Sequence, residues 1–437
     1  MSEPIHPPHP LPDFAKAAIS FAILTLLAGT LLCAGEPSAL KPYSGPSERG
    51  VDATTLTGKL MCGYQGWFNA EGDGAKLGFR HWTRHGDTPA PDNVKVDLWP
   101  DVSELGADER FPTGFRLANG KPAEVFSSAR RATVLRHFGW MRGYGIDGAF
   151  VQRFISSLRD PNVRRTTDTV LAHCREGANL HGRAYAVMYD LSGLGPNRIR
   201  EVMDDWRKLR MEMHVTEDPA YLRHRGKPLV AVWGVGFNDG REYTLGECHE
   251  LVEFLKKDGC TVMLGVPTGW RALDRDSVSD PALHDVLKLA DVISPWTVGR
   301  YRNPAEVSRH AETMLKPDIA WCAGQKLDYL PVVFPGFSWF NMYGKSFDEI
   351  PRLKGGFLWS QFAAAKAAGS TMLYTAMFDE VDEATAIFKC TNDVPQGGGS
   401  KFLTYEGLPS DFYLKLTGSG AKMLRGEIPI TEPLPKP

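Results

Sequence analysis

Between residues 379 and 383 the chain sets four carboxylates in five positions, Asp379, Glu380, Asp382 and Glu383, directly after the apolar run Met372–Phe378. Like charges this close repel one another, and covering them adds a desolvation cost, so the cluster shifts its own titration. Carboxyl groups whose pKa values are driven apart can divide acid and base work between them. Cleavage of a glycosidic bond asks for that division: one carboxyl protonates the leaving oxygen and a second acts on the other side of the sugar ring. Glu380 and Glu383, three residues apart, can both reach one cleft from a single turn, and their separation decides between retention and inversion. The competing reading is an exposed acidic turn at a helix N-terminus, with Asp382 or Glu383 facing the dipole.

Aromatic and polar residues stand at the ends of the other apolar runs. Tyr64, Gln65 and Trp67 end the first, Gln152 and Arg153 the second, and Asp190 the third. Trp233, Trp296 with Arg300, and Trp339 with Tyr343 end later ones. A tryptophan there can lay a flat apolar face under a sugar ring while nearby polar groups bind its hydroxyls. The expected catalytic pair is therefore Glu380 and Glu383. The expected substrate-binding set is Tyr64, Trp67, Arg153, Asp190, Trp233, Trp296, Tyr343 and Asp379, and the expected partner is a carbohydrate. A carbohydrate-binding barrel without turnover is the alternative.

Other chemistries lack a complete set of residues. Asp379, Asp382 and Glu383 do not have calcium-loop spacing. His81 and His85 lack a third ligand nearby and read as polar surface. No Gly-x-Ser-x-Gly surrounds a serine. Gly234-Val235-Gly236 misses the dinucleotide spacing, and Gly344-Lys345-Ser346 lacks the upstream glycine of a phosphate loop. No metal and no cofactor is expected.

Eight strand-like runs must position these groups: 60–68, 147–155, 183–191, 228–237, 261–267, 291–296, 330–340 and 372–378. Helix-like stretches separate them. Runs that are apolar almost without interruption suit parallel strands buried on both faces. Eight such units predict an α/β protein with a (β/α)8 barrel over 58–426, a single domain in which polar residues at the C-terminal strand ends face the site. A long insertion after the first strand, 69–126, is expected to form a wall or lid over the cleft. Residues 36–57 read as a flexible lead-in and 427–437 as a C-terminal tail.

The formal net charge of −2 and the interspersed acids and bases argue against a nucleic-acid partner. Ala17–Ala34 carries no charge and follows Lys16, which predicts a signal peptide over 1–35 and a secreted or periplasmic protein, with no further membrane association. Of seven cysteines, six lie beyond that segment, widely spaced and without a CxxC motif, so an exported chain could pair some of them.

The segment FDEVDEATAIFK, the early YQGWF and the eight units together resemble the glycoside hydrolase family 71/99-like barrels. Family 99 endo-α-mannosidases carry E-W-H-E-G-T after the eighth strand, with Glu380 and Glu383 matching its two acids, and Tyr64, Trp67 and Phe68 matching a first-strand Tyr-x-x-Trp-aromatic pattern. The resemblance implies that Glu380 acts as base on the substrate 2-hydroxyl, which attacks the anomeric carbon to give an anhydro-sugar. Glu383 is then general acid and later base. This chain departs from the pattern at Val381, Asp382 and Ala384, which stand in place of Trp, His and Gly.

Overall fold

The computed structural model describes residues 39–431 and 434. The candidate export segment lies outside them. Among the described residues no helix is long and apolar enough to cross a membrane.

Eight parallel strand positions close into a ring. In chain order they are β1 (Leu60–Tyr64), β4 (Gly148–Phe154), β5 (Ala184–Asp190), β7 (Lys227–Trp233) with the short antiparallel β6 (Arg223–His224) at its start, β8 (Thr261–Val266), β9 (Val292–Pro295), a divided seventh strand and β12 (Leu373–Thr375). The seventh consists of β10 (Asp328–Tyr329), which pairs with β9, and β11 (Val332–Val333), which pairs with β12. Pro331 between the halves has no N–H to donate, which interrupts the ladder. The halves are nonetheless stitched on both sides, by Leu330 N–H to the Ile293 carbonyl and Tyr374 N–H to the Pro331 carbonyl. β12 returns to β1 through the register Leu60↔Leu373 and Cys62↔Thr375, so the sheet closes on itself. A (β/α)8 barrel results, as the near-continuous apolar runs require. The seventh strand begins before the predicted 330. Much of the aromatic run through 340 instead forms a loop leading into the short helix α8 (Phe340–Tyr343).

Helices α1 (Arg131–Tyr144), α2 (Pro161–His181), α3 (Arg200–Lys208), α4 (Leu245–Lys257), α5 (Ala282–Leu289), α6 (Pro304–His310), α7 (Lys316–Gly324), α9 (Gly356–Ala367) and α10 (Phe412–Arg425) supply the outer layer. Their starts follow local chemistry. Asp160 accepts the N–H groups of Asn162 and Val163 ahead of Pro161, and Thr244 forms a capping box with Glu247. Inside the ring, Gly63 leaves room for the eighth-strand side: a Cβ there would lie 2.2 Å from Met377 Sδ.

The 69–126 insertion, expected as a wall or lid, braces the acidic turn from behind, and its residues 70–126 do not line the cleft over Glu380 and Glu383. It holds the hairpin β2 (Arg110–Arg116)–β3 (Pro122–Phe126), and its Trp82 and Trp99 are buried against Phe68, Phe126, Phe115 and Phe402. Its backbone binds the chain after β12: the N–H groups of Asp97 and Leu98 both reach the Val381 carbonyl, and Asp101 N–H reaches that of Lys389. The Asp97 carboxylate accepts the N–H groups of Phe340 and Asn341 at the start of α8. The acidic turn is thus gripped from behind. The six described cysteines are buried free thiols, none paired with another.

Candidate active site

The carboxylates of the acidic turn are covered, against the exposed-turn reading. Asp379, Asp382 and Glu380 are 0%, 1% and 3% exposed, and Glu383 is half-buried. The segment forms a turn, not a helix start. The backbone N–H groups of Thr385 and Ala386 donate to the Glu380 carbonyl, closing the loop over Ala384, whose φ of 56° lies in the left-handed region.

Each acid has a different task. Asp379 faces away from the cleft and ties the eighth strand end to the first, accepting Gln65 N–H at 2.8 Å and Gly66 N–H at 2.9 Å. Burial nevertheless pushes it up to about 7. Glu380 accepts from the Gln65 side-chain amide on Oε1 and from Thr385 Oγ1, 2.6 Å away, on Oε2. Burial, then the charges of Glu383 and Asp382, push it well above the usual carboxylate range. Burial and Asp382 likewise raise Glu383, opposed by the indole of Trp339 and by Lys95. Two carboxyls that each raise the cost of ionising the other do not both ionise near neutrality, so the pair retains a proton.

A cleft of about 580 Å³ opens over this pair. Trp233, Phe237 and Trp296 form one wall, with Trp233 and Trp296 edge to face at 5.6 Å. Trp67 and Phe154, 5.0 Å apart, form another, and Phe337 and Trp339 a third. Asp190 joins the lining from the end of β5; burial raises it to about 6 although Ser192 N–H binds its Oδ1.

Six of the ten residues expected from the sequence line this cleft: Glu380, Glu383, Trp67, Asp190, Trp233 and Trp296. Four do not. The hydroxyl of Tyr64 meets His137 Nδ1 at 2.9 Å in the core outside the ring. Arg153 is fully buried between barrel and helices, bound to Asp205 and Asp168, with Tyr189 completing the network. Tyr343 is 63% exposed on α8, beyond the cleft lining. Asp379 is the clamp already described. In both strand cases the inward residue is a neighbour of the expected one: Gln65 beside Tyr64, and Gln152 beside Arg153.

His81 is not the polar surface group that its spacing suggests. Instead its ring stacks on Trp67 with centroids 4.0 Å apart and planes within 5°, and its Nδ1 lies 3.4 Å from Asp382 Oδ2. Asp382 thereby connects the acid pair to the Trp67 platform. Ser192, Asp239, Lys345 and Glu349 also line the cleft; they sit in loops, where strand-end reasoning gives no signal.

The fold is that of solved glycoside-hydrolase-like barrels. The GH99 endo-alpha-mannosidase from Bacteroides thetaiotaomicron superposes with a TM-score of 0.61 at 15% identity, covering 85% of this chain and 99% of that one. Its structure in complex with Bis-Tris propane gives the same score at 14% identity and the same coverage. A structure described as a glycoside hydrolase-like protein gives 0.50 at 13% identity, covering 76% of this chain and 95% of that one. No protein-family model matches the chain, and no curated protein matches it by sequence.

Proposed function

We propose that this protein is an exported glycoside hydrolase that cleaves α-linked bonds of an oligo- or polysaccharide, with Glu380 and Glu383 as the acid/base pair. The observation that carries this reading is the placement of two covered carboxyls, both held above the usual carboxylate range, in the lining of an aromatic-walled cleft. Their surroundings assign the roles. Glu380 holds a donor on each oxygen, which fixes its orientation and opposes the upward push of burial and of its acidic neighbours; once ionised, a carboxylate of raised pKa is the stronger base toward a substrate hydroxyl. Glu383 is raised to about 8 by burial and the charge of Asp382, so it is still protonated near neutrality and serves as general acid to the leaving oxygen. Asp190 and Gln152 can receive sugar hydroxyls while Trp67, Trp233 and Trp296 cover the ring faces. The endo-alpha-mannosidase likeness supports α-linked substrates, and the uncharged run Ala17–Ala34 supports export.

Incubating the wild type, Glu380→Gln and Glu383→Gln with a panel of α-linked glycans tests the proposal. Product from the wild type alone, with both variants folded, is the expected result. Undiminished turnover by either variant would refute the pair. Cell fractionation of a C-terminally tagged full chain tests export, which predicts the tag outside the cytoplasm.

A further inference from the structure

A second cavity, of about 260 Å³, lies on the other side of the Trp67–Phe154 wall. It shares Gln65, Trp67, Gln152 and Phe154 with the catalytic cleft, so the two spaces meet at one partition. Its far side is built from the first turns of α2 and from residues 77–81 of the insertion. Its charge differs from that of the cleft: no carboxylate lines it, whereas Arg80 does. The Arg80 guanidinium is half-buried and forms no hydrogen bond or ion pair among the described residues. The one carboxylate whose field reaches it, Asp160, is engaged in capping α2 through Asn162 and Val163. Partial burial makes a cation without a partner costly. His81, the other titratable group lining the cavity, is held toward its neutral form by burial, against the pull of Asp382 and with a push from Arg80 and Lys95. The walls otherwise combine apolar Leu77, Val163 and Val170 with the hydroxyls of Ser157 and Thr167.

We infer that this cavity binds an anionic substituent of the sugar substrate, a carboxylate, sulfate or phosphate, through Arg80. A guanidinium recognises all three oxyanions by paired N–H donors. The acidic cleft repels the same group, so a sugar lying along the Trp67 edge is favoured with its charged substituent on the Arg80 side of the partition. The inference rests on the hydrolase reading only for the anion being carried by a substrate; binding itself does not require turnover.

The experiment is calorimetric titration of the full chain carrying Glu383→Gln, so that nothing is consumed. The probes are glucose, glucuronate, glucose 6-sulfate, glucose 6-phosphate and inorganic phosphate. At least one anionic sugar is expected to bind tenfold or more tightly than glucose. Adding Arg80→Gln should erase that preference and leave glucose binding unchanged. Thr167→Phe, which fills the cavity from α2 with Arg80 intact, should erase it too and covers the case of a misfolded Arg80 variant. Equal binding of glucose and every anionic sugar overturns the inference. So does a preference that survives both substitutions, or inorganic phosphate binding as tightly as the best anionic sugar. Absence of hydrolysis by the wild type on any glycan would refute the proposed activity and leave these titrations interpretable.

Discussion

The two cavities beside Trp67 are built from overlapping residues and carry opposite charge. The cleft collects Asp190, Asp239, Glu349, Glu380 and Glu383 against Arg300 and Lys345, while the smaller space holds Arg80 and no acid. The Trp67 indole, packed on Phe154 and backed by His81 and Asp382, stands between them. The difference teaches how a barrel rim sorts charge. The cleft is fed by side chains pointing into the ring from strand ends, where acids sit above a buried floor. The second space is fed by the segment after β1, by β4 and by α2, whose carboxylate Asp168, like the capping Asp160, is already engaged with arginine or backbone.

The strongest way to break this comparison is to neutralise the acidic side. Glu383→Gln is expected to lower turnover by roughly 10³-fold or more, since general acid catalysis is worth about 10²–10⁴. Glucose affinity and the folded state should change little. Rates of reducing-sugar release and circular dichroism check both halves. Equal loss of glucose binding and turnover would make Glu383 a binding group instead.

Removing the partition comes next. Trp67→Ala merges the two spaces and deletes the stacked face, at about 1–2 kcal/mol of binding, or roughly five- to thirtyfold in KM. The effect should fall on KM more than on kcat, as steady-state kinetics would show. A kcat loss as large as that of Glu383→Gln would mean that Trp67 and His81 act chiefly by positioning the acid pair.

The field of Asp382 gives a smaller effect. Its charge raises both glutamates. With Glu383 as the acid, activity requires its protonated form and falls as pH rises through its raised pKa. Asp382→Asn removes a neighbouring negative charge, lowers that pKa and moves the alkaline limb of kcat/KM to lower pH, by on the order of one unit. A limb that stays in place would show that desolvation alone sets the titration.

What the sequence made legible follows from burial. Parallel strands covered on both faces read as continuous apolar runs, so the barrel and the strand ends were visible. The same property erases the two-residue alternation that tells inside from outside. That is why Tyr64 stood for Gln65 and Arg153 for Gln152, although the order of the strands was right. The divided seventh strand was hidden because Pro331 interrupts it and an aromatic loop follows. His81 gave no signal because its partner, Asp382, is 301 residues away in the chain. The second cavity was equally invisible: Arg80 is one arginine in a loop until α2 closes over it.

The smallest effect concerns the turn that presents the acids. Ala384 occupies the left-handed region between Glu383 and Thr385, where a Cβ crowds the backbone. Glycine adopts this conformation without that strain, at some cost in unfolded-chain entropy. Ala384→Gly should therefore stabilise the protein by about 0.5–1 kcal/mol, a rise of about 1 °C in Tm for a chain of this size. The Thr385 hydroxyl bond to Glu380 closes the same turn, so turnover should be unchanged if that bond, rather than the strained backbone, sets the geometry of the acids. Calorimetry and activity measured on one preparation separate the two. A stabilised variant with altered kcat would show that backbone strain at Ala384 helps to aim the carboxyl pair, and would place the catalytic precision of the acidic side in its backbone as much as in its side chains.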